Sequence, residues 1–118
     1  MRRHQKYKAD NTEVWIGTVT VHPLVGCELV GPTEGAIVNI VTPSRTVDQF
    51  NARVQTLCDA YHLRIVRLEG QEPIRQRFPD LDMSKEMEVL ANEVRGTNQI
   101  RFTTFHKYPL DSENEAEV

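Results

Sequence analysis

Residues 35–69 read GAIVNIVTPSRTVDQFNARVQTLCDAYHLRIVRLE, and the change of period along this stretch decides the fold. Over residues 35–42 five strongly apolar side chains are interrupted only by Asn39, the pattern of a strand that is central or covered on both sides. Pro43-Ser44-Arg45-Thr46 then supplies a stop and a start together. Thr46 and Gln49 stand at capping-box spacing, able to satisfy N–H groups at a helix start. From there Val47, Phe50, Val54, Leu57, Cys58 and Tyr61 recur at helical intervals to about His62, which predicts a helix with one apolar face. Residues 63–69 return to strand character, with Val66 and Leu68 on one face. A strand-helix-strand passage of this kind favours a parallel pair joined by a right-handed crossover.

Working outward, residues 14–21, VWIGTVTV, read as a strand with Trp15, Val19 and Val21 on one face and Ile16, Thr18 and Thr20 on the other. His22-Pro23 ends it, and residues 23–34 form a long connection with Gly26, Gly31 and Pro32, in which residues 27–30 are a candidate short edge strand. Residues 70–82 read as an ordered connector pinned by Ile74, Phe78 and Leu81, with Asp82 a candidate helix cap. A second helix is expected over residues 84–95, from Met83, Met87, Leu90, Ala91 and Val94, closed by Gly96. Residues 99–106 predict a last strand, with Ile100, Phe102 and Thr104 opposed to Arg101, Thr103 and Phe105. The order ββαβαβ implies an α+β two-layer sandwich: a four-stranded mixed sheet with two helices on one face. In element order alone it resembles a ferredoxin-like arrangement, a resemblance that brings no functional residues with it.

With 118 residues, 39% of them hydrophobic and 26% charged, the chain has the size and balance of one globular domain, expected over residues 13–109. The ends differ in character. Residues 1–12 carry Arg2, Arg3, Lys6 and Lys8 and read as a flexible basic arm, while residues 110–118 carry Asp111, Glu113, Glu115 and Glu117 and read as a disordered acidic tail. These end charges cancel, so the body keeps the formal net charge of −3, which disfavours a dedicated duplex binder. No apolar run follows Met1 as a secretory signal requires, and none approaches the roughly 20 residues that span a bilayer. A cytoplasmic location is the expectation. Cys27 and Cys58 lack any CxxC partner, so neither a disulfide framework nor a zinc knuckle is expected.

No stretch carries a strong catalytic, metal or nucleotide signature, and no cofactor or metal is expected. The leading expectation is a non-catalytic interaction or regulatory module, a homodimer or the binder of a protein partner. It would use an open sheet face partly populated by Trp15, Ile16, Ile65 or Phe105. A second possibility is a ligand pocket or small enzyme site around His22, His106 and Cys27, because imidazoles at strand ends can converge and serve as bases or ligands. A third is single-stranded nucleic acid on a cationic face made by Arg64, Arg67 and Arg101.

Overall fold

The computed structural model describes residues 12–80 and 83–109. The expected basic arm and acidic tail lie outside these residues except for Thr12, as do Leu81 and Asp82. In chain order the elements are β1 (Glu13–Pro23), β2 (Glu34–Ser44), α1 (Val47–Ala60), β3 (Leu63–Pro73), α2 (Ile74–Arg77), α3 (Lys85–Val94), β4 (Arg101–Phe102) and β5 (His106–Pro109). They form an α+β structure around an open antiparallel sheet ordered β3-β1-β2-β4, with β5 also paired to β2.

The sheet is antiparallel throughout rather than mixed. Because β1 pairs with β2 on one side and β3 on the other, β2 and β3 run in the same direction with β1 between them. The crossover helix α1 therefore bridges two strands that are not neighbours. At its start Thr46 Oγ1 accepts from the Gln49 N–H at 3.0 Å and Gln49 Oε1 accepts from the Arg45 N–H at 2.7 Å, a capping box closed one residue early. Ser84 caps α3 in the same way, accepting from the Met87 N–H at 3.1 Å.

The helices lie on opposite faces, where both were expected on one. Val19 and Val21 of β1 and Ala36, Val38 and Ile40 of β2 pack with Phe50, Val54 and Cys58 of α1. Val14, Ile16 and Val41, which point the other way from the same strands, pack with Ile74 of α2 and Met87, Ala91 and Val94 of α3. The physical reason is the alternation itself. Val14, Ile16 and Val41 are apolar at positions that a one-sided sheet would leave to solvent, and burying them requires a second layer.

Three bulges set the details. Both irregularities between β1 and β3 place the extra residue in β3, one at Val66 and one at Gly70-Gln71, where Gly70 has a φ of 69° that its missing side chain permits. The third divides the expected last strand into β4 and β5. Thr103 continues the β4 register by donating its N–H to Asn39 O at 2.9 Å, and one residue is then gained before His106 pairs with Ile37. Residues 27–30 are not a strand. Val30 is buried in the α1-side core and Cys27 and Leu29 pack against it, so the connection is anchored by side chains without ladder bonds. Among the described residues no helix is long and apolar enough to cross a membrane.

Candidate functional site

One half of the second face is left uncovered by α2 and α3. Cover stops at Ile16 and Val41, and the next positions outward are Thr18 beside Asn39, then Thr20 beside exposed Ile37, then His22. The register extends these rows across the sheet. Glu69 pairs with Thr18, Arg67 with Thr20 and Arg64 with His22 on the β3 side, while His106 pairs with Ile37 and Tyr108 with Gly35 on the β5 side.

Two of the bulges decide which side chains arrive. In a regular strand Arg64 and Arg67, three apart, would point to opposite faces. The extra residue Val66 resets the alternation, so Arg64 and Arg67 share the open face while Ile65 and Leu68 both turn to the α1-side core. The bulge between Thr103 and His106 does the same on the other edge. It turns Phe105 to the α1 side, against Phe102 at 4.9 Å between ring centroids, and brings His106 and Tyr108 to the open face.

Arg64 Nη2 donates to His22 Nδ1 at 3.0 Å, and since a guanidinium only donates, that nitrogen is an acceptor. The His22 ring in turn meets Tyr108 edge-on at 6.5 Å, across the bare backbone of Gly35. The other guanidinium groups near the sheet are committed. Arg75 is paired with Glu13 at 2.7 Å, Arg77 with Glu72, and Arg101 with Glu93 at 3.5 Å. The hydrogen bond and charge of Glu13 push the Arg75 guanidinium above its ordinary value. Arg64 and Arg67 have no carboxylate partner among the described residues, which leaves their charge available to solvent or a ligand.

The site residues expected from sequence are thus divided. His22, His106, Arg64 and Arg67 come to one open surface. His22 and His106 stay two strands apart and one row out of step, so their rings do not converge. Cys27 packs against the opposite core, away from both. Trp15 lies on the α1 side, 6.2 Å from the Phe50 ring, and Phe105 is on that side too, so neither populates the open face. Nor do Ile16, buried under α3, or Ile65. Arg101 points to the second face but at its covered end, beside α3. Among the described residues no group of three or more His, Cys, Asp or Glu side chains is placed to hold a metal ion. Thr18, Thr20 and Asn39 are members that sequence reasoning missed; the Thr-x-Thr alternation ahead of His22 was the available signal. Compared with family models, curated proteins and solved structures, the chain matches none.

At the His22 end the open surface meets an apolar loop tip, where Leu24 is 49% and Val25 98% exposed. Leu24 N–H donates to His62 O at 2.8 Å, tying the tip to the end of α1. The chemistry offered is a cationic, hydrogen-bonding surface with one aromatic ring and an apolar rim.

Proposed function

We propose that the chain is a non-catalytic interaction module that receives an acidic segment of a protein partner on the uncovered half of its sheet. The observation that carries this reading is the pairing of Arg64 and Arg67 on one open face without a carboxylate of their own. Guanidinium groups recognise carboxylates through parallel N–H donors, and such charge-assisted bonds are stronger than neutral ones. His22, Thr18, Thr20 and Asn39 add polar contacts, and exposed Leu24 and Val25 supply the apolar edge that a peptide side chain covers.

A short acidic peptide with apolar side chains suits the surface better than nucleic acid, because the cationic patch is small and bordered by exposed Leu24 and Val25. A second copy docked across a two-fold axis through this patch would set Arg64 and Arg67 against their own counterparts, at a Coulombic cost.

The test is an amide-resolved NMR titration of the full chain with an acidic Glu/Leu peptide, an oligothymidylate and a basic Lys/Leu peptide. Saturable shifts from the acidic peptide, centred on Thr20, His22, Ile37, Arg64 and Arg67, support the proposal. Shifts elsewhere, or tighter binding of the oligothymidylate, overturn it.

A further inference from the structure

We propose that a groove beside α1, independent of the open sheet face, binds a small amphipathic carboxylate: an apolar chain ending in one carboxylate, with Arg53 as its anchor. The groove is open to solvent and offers about 690 Å³ between α1 and residues 98–100. Its lining is divided in character. Leu57, Ala60, Tyr61 and Ile100 are apolar towards the end of α1, while Gln49, Arg53, Thr56 and Asn98 are polar, with Arg53 the one charged group.

Arg53 is the unsatisfied group. Its Nε is buried without a hydrogen-bond partner, and Nη1 reaches only the Asn98 carbonyl, at a long 3.4 Å. No carboxylate among the described residues pairs with it. Because Nε is closed off, an incoming carboxylate meets the Nη donors, which are held only by the long bond to Asn98 and whose planar fork fits a carboxylate. The apolar side gives the other half of the ligand. Leu57 and Tyr61 also line a small apolar void together with Phe102 and Phe105, so the apolar side of the groove is continuous with the α1-side core. An apolar body with a single anionic head matches this division of one cation and a hydrocarbon surface.

The proposal is tested on the full chain with decanoate, decanol and acetate as probes, following amide shifts and fitting affinities. Decanoate is expected to bind saturably with shifts at Arg53, Thr56, Ala60, Tyr61 and Ile100, decanol about tenfold more weakly, and acetate not measurably. Arg53→Gln is expected to lower decanoate affinity about tenfold and leave decanol unchanged. Ala60→Glu, at an exposed helical position, places a repelling charge in the groove without touching Arg53, and decides the matter if Arg53→Gln perturbs the fold. Equal binding of decanol and decanoate, shifts outside the groove, or undiminished decanoate binding by Ala60→Glu would overturn the assignment.

Discussion

Tyr108 lies across Gly35: a Cβ on that glycine would stand 2.5 Å from Tyr108 Cζ. The two residues are direct partners in the β2–β5 pairing, so the ring covers the strand where no side chain intervenes. Gly35→Ala therefore has to displace the far end of a half-buried ring, and the expected loss is about 1 kcal/mol. Urea unfolding measures it. In a Tyr108→Ala background the same substitution is expected to cost much less, and an undiminished cost there would mean that the strain lies elsewhere.

Gly17 holds the equivalent position on the opposite face. A Cβ there would lie 2.6 Å from Cε2 of Phe50, a ring with no exposed surface. Gly17→Ala is expected to lower stability by about 1–3 kcal/mol, with Phe50→Leu relieving the clash in the double variant. Calorimetric midpoints of the four proteins check this.

The two helix caps serve different cores. Thr46→Ala and Ser84→Ala each remove a side-chain acceptor from an N-terminal N–H, at about 1 kcal/mol apiece. Because α1 and α3 lie on opposite sides of the sheet, the losses are expected to add in the double variant. A coupling well above about 0.5 kcal/mol in denaturant melts would argue against separate layers.

Burial, with a smaller contribution from Asp59, pushes the Cys58 thiol from 9.0 up to about 11. Between those values the folded chain keeps a proton that the unfolded chain releases, so stability falls as pH rises through this window and is unaffected below it. The decline is expected to vanish in Cys58→Ala, read as the difference between the two proteins from pH 8 to 11. At pH 8 a thiol reagent is expected to modify half-buried Cys27 and spare Cys58 until the chain unfolds.

Much of the fold is legible in the sequence where period and caps agree. The Thr46–Gln49 box and the Phe50, Val54, Cys58 stripe define α1, and Met87, Ala91 and Val94 define α3. The side each helix takes is not stated by its own periodicity. It is written in the strands, where Val14, Ile16 and Val41 are apolar on the second face while Thr18, Thr20 and His22 are not, so the cover must be partial. The bulges escape notice because they are properties of pairing. Simple alternation puts Arg64 and Arg67 on opposite faces and Phe105 beside Arg101, and single extra residues reverse both results.

That reversal gives the open face its charge, and charge reversal tests its role most directly. Affinities for the acidic Glu/Leu and basic Lys/Leu peptides should be measured at physiological salt with the wild-type chain and with Arg64→Glu/Arg67→Glu. Both positions are exposed, so the variant is expected to keep the wild-type unfolding midpoint. The predicted result is at least an about tenfold loss of acidic-peptide affinity with a gain of basic-peptide affinity. Acidic-peptide binding unchanged by the reversal would contradict the assignment of this face as the partner surface.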